Sequence, residues 1–383
     1  MPSTTPWTRR TFVQTVGSLA AVAGMPQWAS ASGTNDARSR FKAKFAFVAS
    51  AKNGISVFSI SHNGGWTHAQ TVSSPSPAAL ALSPDKRFLY VANALNTFQH
   101  RPTASIEAYA IDNETGHLTV LNRQPLAIHA TMPRNLAVSS NGRLLAVAVE
   151  GGGVYNLLPL GENGELHPVT ASLKLIGQNG KQTSSQRTQP QSVFFRDNKT
   201  LIALDRGRNS IFSLSIDTSF ALSLDKFEIP FPVDAPTAFI PYPSSGIYFT
   251  ASAAAPVITS ILPDPEASGR FRAAQIFRLP SIDSGFNSLA IHPVATQLFA
   301  ATSEGISSIE IDPTGWLHAP RYVAHGFGPV DSLHGSPDGV HLFAATKSGS
   351  LLRIDMEQGF GPRSTIHEIA GIAGVTAVAF RYS

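Results

Sequence analysis

The chain has 383 residues, 43% of them hydrophobic and only 14% charged, which excludes a wholly disordered polymer. Lysine and arginine number 29 against 25 acidic residues, a net charge of +4 with no run of five like charges, so polybasic nucleic-acid or membrane-surface binding has no basis. There is no cysteine, which removes disulfides, thiolate metal sites and cysteine nucleophiles.

The first expected element is an export signal. Arg9 and Arg10, followed by Phe12, form a twin-arginine motif. A weakly apolar stretch, Val16–Met25, comes next, then Pro26 and the small-x-small cleavage site Ala29-Ser30-Ala31. That stretch of about 10 residues is too short to cross a bilayer comfortably, and no later apolar run is long enough to span one. Residues 1–31 are therefore expected to be a twin-arginine signal peptide and 32–44 a linker. Residues 45–383 are expected to form one domain, delivered folded to the periplasm or the exterior.

From residue 45 onward, short strands alternate with turns and helical periodicity is nowhere sustained. One unit returns: an apolar strand, a Pro/Asp/Asn/Gly turn and a second strand. Ala79–Asn93, turning at Ser83-Pro84-Asp85, is its clearest copy, followed by Asn135–Val147 and Ser192–Ile202. Weaker copies turn at Pro243–Gly246, Pro293–Thr296 and Pro337-Asp338-Gly339. With positions 84, 140, 196, 243, 293 and 337 in register, the intervals run from 44 to 56 residues, room for a four-stranded propeller blade and its loops. Third strands are expected at Ser105–Asp112, Ser210–Ile216, Gly305–Ile311 and Ser350–Ile354.

The two ends complete the count. Phe45–Ala49 and Gly54–Ile60 read as second and third strands lacking a first, and Val375–Phe380 as a first strand with nothing after it. Joined, they make a seventh blade. The expected fold is an all-β, seven-bladed β-propeller of four-stranded blades, its ring closed by N-terminal strands plus a C-terminal strand, leaving no open sheet edge.

The segments Pro84–Asn93 and Ser140-Asn141-Gly142-Arg143 resemble those of the lactonase-type seven-bladed propellers, which include 6-phosphogluconolactonases and a carboxymuconate-lactonizing enzyme. Gly151-Gly152-Gly153 with Glu162–Leu166, and Asp205–Ile211, are similar to third- and fourth-blade motifs of that family. The resemblance covers about residues 45 to 380 and implies a lactone hydrolase. Family members carry His-Pro-His where this chain has Gln189-Pro190-Gln191, Pro-Arg-His where it has Pro236-Thr237-Ala238, and Asn-Glu where it has Ala251-Ser252. Glutamine exchanges no proton near neutral pH, so the resemblance supplies a scaffold without its usual acid–base groups.

In a propeller, the starts of first strands and the ends of second strands share one face, opposite the Pro-Asp-Gly-like turns. That geometry nominates Arg134, Asn135, Glu150, Gln189, Gln191, Asp205, Arg206, Asn287 and Asp331 as ligand-binding residues. The set is rich in amides with a few charges, suited to a small polar ligand or a lactone. Asp331 or Glu150 would serve as general base on water and Arg134 would steady the oxyanion. Asp205 and Asn93 also suit strand-end turns, and Glu150 and Arg134 also suit pairing with each other. No cofactor and no metal are expected: the 12 histidines show no HExxH spacing, with His334 and His341 read as structural, and Gly151–Gly153 lacks the Lys-Ser/Thr of a phosphate loop. Gly177–Arg187 reads as an insert near the binding face. Two functions stay open, a lactone-binding hydrolase and a non-catalytic module with a protein partner on the propeller face.

Overall fold

The computed structural model describes residues 43–61, 64–175, 187–230, 235–242, 246–264, 271–279, 285–292, 297–312, 314–325, 328–336, 339–356, 366–369, 372 and 374–382. The export signal, most of the linker, the insert up to residue 186 and the turn residues 243–245, 293–296 and 337–338 lie outside the described residues.

The strands form seven antiparallel sheets of four. The first blade is β1 (Ala43–Ser50), β2 (Gly54–Ile60) and β3 (Trp66–Val72), completed from the far end of the chain by β28 (Val375–Tyr382). The second blade is β4 (Pro77–Leu82), β5 (Phe88–Asn93), β6 (Ser105–Ile111) and β7 (Leu118–Pro125). Then come β8 (Pro133–Val138), β9 (Leu144–Val149), β10 (Val154–Pro159) and β11 (Ala171–Leu173) in the third. The fourth holds β12 (Pro190–Asp197), β13 (Thr200–Asp205), β14 (Ser210–Ile216) and β15 (Leu222–Pro230). β16 (Pro236–Pro241), β17 (Tyr248–Ser252), β18 (Val257–Pro263) and β19 (Phe271–Arg278) make the fifth. β20 (Ser288–Ile291), β21 (Gln297–Ala301), β22 (Gly305–Ile311) and β23 (Leu317–His325) make the sixth. The seventh is β24 (Val330–Gly335), β25 (His341–Thr346), β26 (Leu351–Asp355) and β27 (Ile366–Ile369).

Burial follows position in the blade. Second strands are apolar almost throughout, and β9, Leu-Leu-Ala-Val-Ala-Val, is buried at every residue. A strand enclosed on both faces has no solvent side, so its sequence cannot alternate apolar with polar. Its side chains alternate between neighbours instead: Leu89 and Val91 of β5 pack toward the first blade, Tyr90 and Ala92 toward the third. One apolar cluster fills each of the seven blade–blade interfaces, and none occupies a common centre. Ring stability is thus a sum of neighbour contacts, as in other repeat folds.

Polar ties add register at the rim. The Gln70 amide donates to Leu118 O (3.1 Å) and accepts from Leu118 N (2.7 Å), imitating a β-ladder step between β3 and the next blade. Gln275 does the same with Leu317, and Asn122 with Leu166. The recurrent turn owes its shape to its serine. Ser83 Oγ accepts from Phe88 N (3.0 Å) and donates to Asp85 Oδ1 (2.6 Å), and Ser139 repeats this with Leu144 N and Asn141 Oδ1.

Candidate functional site: a ring of bulges at the channel mouth

At the start of the innermost strand, six blades slip register by one residue. Pro77 pairs with Asn93 but Ala79 with Ala92, and Pro133 with Val149 but Asn135 with Ala148. The same shift follows Pro190, Pro236, Val330 and Val375. Each bulge leaves one residue outside the ladder: Thr376, Ala78, Arg134, Gln191, Thr237 and Asp331. Asn287, immediately before β20, holds the corresponding place in the sixth blade. A proline that opens a strand has no N–H for the ladder, and the bulge after it re-aims the next side chain. The seven positions therefore ring the channel mouth.

Three of the seven hold blades together. Thr237 Oγ1 donates to Phe286 O (3.0 Å), Asn287 Nδ2 to Val330 O (2.9 Å), and Thr376 Oγ1 to Pro77 O (2.7 Å), each reaching the next blade. One residue further along, Asn135 Oδ1 accepts from Val193 N (2.9 Å) and Ser288 Oγ from Leu333 N (3.1 Å). Arg134, Gln191 and Asp331 break the pattern. Arg134 turns to the Glu150 carboxylate, and Gln191 Nε2 reaches the same carboxylate at 3.4 Å. Asp331 is exposed, and a carboxylate has no proton with which to make the tie. Among the described residues nothing pairs with it.

The other candidates lie at the ends of second strands. Here a buried polar residue recurs, and it caps the adjoining loop. Ser252 Oγ accepts from Ala254 N (3.1 Å) and Ala255 N (3.2 Å), and Thr302 Oγ1 from Glu304 N (3.1 Å). Asp205 is the charged version, fully buried, with Oδ1 accepting from Gln189 N (2.9 Å) and Arg208 N (3.0 Å). Burial pushes its carboxyl up to about 6, against those backbone donors, which pull it down. Its Oδ2 has no hydrogen-bond partner among the described residues. Arg206 is exposed beside it, and its N–H holds Gln189 O at 3.0 Å. Asn93 is likewise buried, accepting from Ser74 Oγ (2.9 Å).

The nine nominated residues thus fall into three groups: Arg134, Glu150, Gln191 and Asn135 in the third and fourth blades; Gln189, Asp205 and Arg206 in the fourth; Asn287 and Asp331 in the sixth and seventh. The bulge itself, and with it Ala78 and Thr376 as members of the ring, is not visible in the strand pattern. Recurrence of proline at 77, 133, 190 and 236 is the signal that marks it. Gly152 and Gly153, at φ of 89° and 66°, let the third-blade turn lie close under the preceding loop: a Cβ on Gly152 would stand 2.4 Å from His129 O. That close packing accounts for the glycine run. His334 is held neutral, burial pulling it down to about 4, with Nε2 3.1 Å from Ser332 Oγ. Among the described residues no His, Asp or Glu cluster has the arrangement of a metal site.

Residues 45–230, the first four blades, match the family described as lactonase, 7-bladed beta-propeller. This is a lactonase-like propeller. Among solved structures it is similar to a Bacteroides uniformis protein assigned as a 6-phosphogluconolactonase (19% identity, TM-score 0.75, covering 89% of this chain and 100% of that one). It is also similar to the periplasmic gluconolactonase of Pseudomonas aeruginosa (20% identity, TM-score 0.73, covering 88% and 98%). At such identity the likeness is one of fold. No curated protein matches the chain.

Proposed function

We propose that this lactonase-like propeller binds a small, hydroxyl-rich lactone or polyol at its channel mouth, outside the cytoplasm. The observation that carries the reading is the contrast within the ring. Thr237, Asn287 and Thr376 are each tied to a backbone carbonyl of the next blade, while Arg134 and Gln191 converge on the partly exposed Glu150 carboxylate and Asp331 stands exposed. Side chains that share one solvent-reachable carboxylate, or stand exposed, can change partners when a ligand arrives at little cost to the fold. Arg134 presents further N–H donors to a ligand carbonyl, Gln191 an amide, and Asp331 a carboxylate that accepts from hydroxyls. Hydrolysis would run through Asp331 or Glu150 as base on water, with Arg134 facing the developing oxyanion. With glutamine at 189 and 191, where the family carries histidines, turnover is expected to be slow relative to binding. Export is supported by the Arg9-Arg10 signal and by the periplasmic source of one structural neighbour.

The experiment is a lactone panel on purified protein, read by calorimetry for binding and by proton release for turnover. Gluconolactone or its open acid should bind saturably, and Arg134→Ala or Asp331→Asn should each weaken it about 10-fold, with proton release near the uncatalysed rate. No saturable binding across the panel, or affinities untouched by both substitutions, would refute the reading.

A further inference from the structure

The channel has a second end. On the side of the Pro-Asp-Gly-like turns lies a chamber of about 360 Å³. Its wall comes from four successive inner strands and the start of β17: Leu80, Leu136, Val138, Phe194, Pro241 and Tyr248 are among the lining residues, and none of the lining residues is charged. An apolar cavity of about 150 Å³ is enough to take benzene, so this one has room for a substituted ring.

The chamber offers one uncommitted polar group. Ser140, the other hydroxyl in the lining, donates its proton to Asn198 Oδ1 at 2.9 Å. Tyr248 is 2% exposed, and its ring is stacked against Phe239 (5.2 Å, 13°) and tilted against Phe194 (5.4 Å). No described residue hydrogen-bonds its hydroxyl. Burial pushes that phenol up to about 12, with Arg196 opposing, so it keeps its proton and can donate. The hydroxyl is therefore a donor that a ligand in the chamber can use. Phe194 and Phe239, centroids 5.0 Å apart and 20° from parallel, stiffen the same wall.

We propose that the turn-side chamber is a binding site for a small neutral aromatic molecule bearing one hydrogen-bond acceptor, its ring against Phe194 and its acceptor on the Tyr248 hydroxyl. No lining residue is charged, and Arg196, the cation that acts on Tyr248, is paired with Asp197 at 3.5 Å, so a neutral ligand is favoured over an ion. Separation from the bulge ring makes the site independent of the lactone reading, with which it shares no residue.

Acetophenone, which has one carbonyl acceptor, and ethylbenzene, its near-isostere without one, are the probes, followed by ligand-observed NMR titration of the whole protein. Acetophenone should bind saturably and more tightly than ethylbenzene. Tyr248→Phe should weaken acetophenone by roughly 3- to 10-fold, the worth of one hydrogen bond, and leave ethylbenzene unchanged. Ala137→Phe, which fills the chamber, should abolish both; should that variant misfold, the Tyr248→Phe comparison decides alone. Lack of saturable acetophenone binding, or equal affinity for both probes in the wild type and in Tyr248→Phe, would overturn the proposal.

Discussion

Thr376, on the last strand of the chain, donates its hydroxyl to the carbonyl of Pro77 at 2.7 Å, across a sequence separation of 299 residues. The bond joins the closing strand to the second blade, so β28 is bound on two sides: to β1 through its ladder and to β4 through Thr376. Val375, Val378 and Phe380 meanwhile fill the interface between the seventh blade and the first, where Trp66 lies 5.1 Å from Phe343.

Deleting Val375–Ser383 should therefore unfasten the ring. Three buried apolar side chains contribute about 5–9 kcal/mol together, comparable with the whole stability of an average domain. The truncated chain should elute as aggregate, or melt more than 10 °C below the intact protein by calorimetry. A melting point within two degrees of the intact chain would contradict the closure.

Gly164 sits at φ +83°, and a Cβ there would lie 2.3 Å from the Phe88 ring of the preceding blade. Gly164→Ala should cost roughly 1–3 kcal/mol through backbone strain and overpacking together. Urea unfolding of Gly164→Ala and of Gly164→Ala with Phe88→Leu checks it. The second change should recover part of the loss, because it removes the clash while leaving the strain.

Asp205 gives a stability difference that depends on pH. Its carboxyl titrates near 6 in the fold against a reference of 3.8, so between those values the native state holds more protons than the unfolded chain. Stability from this group therefore falls as pH rises from about 4 to 6, and the full penalty applies above 6. Asp205→Asn keeps an Oδ1 acceptor for Gln189 N and Arg208 N without the charge. Relative to wild type, the variant should gain roughly 1–3 kcal/mol between pH 4 and pH 7. His334, held near 4, acts oppositely in both proteins: its contribution is present above about 6.5 and lost as pH falls from there. Denaturant melts of both proteins at the two pH values test the difference; a constant gap would show that Asp205 is ionised throughout.

Export should depend on Arg9 and Arg10. Arg9→Lys together with Arg10→Lys should leave the protein in the cytoplasm with its N-terminus intact, whereas exported wild type should begin near Ser32. Fractionation and N-terminal sequencing distinguish the outcomes. Export of the double variant, or an exported chain that retains Trp7, would remove the assignment.

Blade number, strand order and the identity of the closing strand are written into the sequence because they are local. Each strand–turn–strand copy carries its own apolar alternation and its own serine-capped turn, as Ser83 and Ser139 show, and repetition lets one copy interpret the next. Four nominated residues, Arg134, Gln191, Asn287 and Asp331, could be placed at the mouth from strand position alone. The pairing of Arg134 with Glu150, in one blade, is legible as well, whereas the partners of Asn287 and Gln191 belong to a neighbouring blade, 43 and 41 residues distant. Only packed blades set Asn287 on Val330 O while Asp331, one blade on, is left with no described partner. The turn-side chamber is likewise invisible in sequence: Leu80, Phe194 and Tyr248 read as ordinary core residues, and only the curvature of the ring, which holds inner strands apart at the axis, opens a space between them.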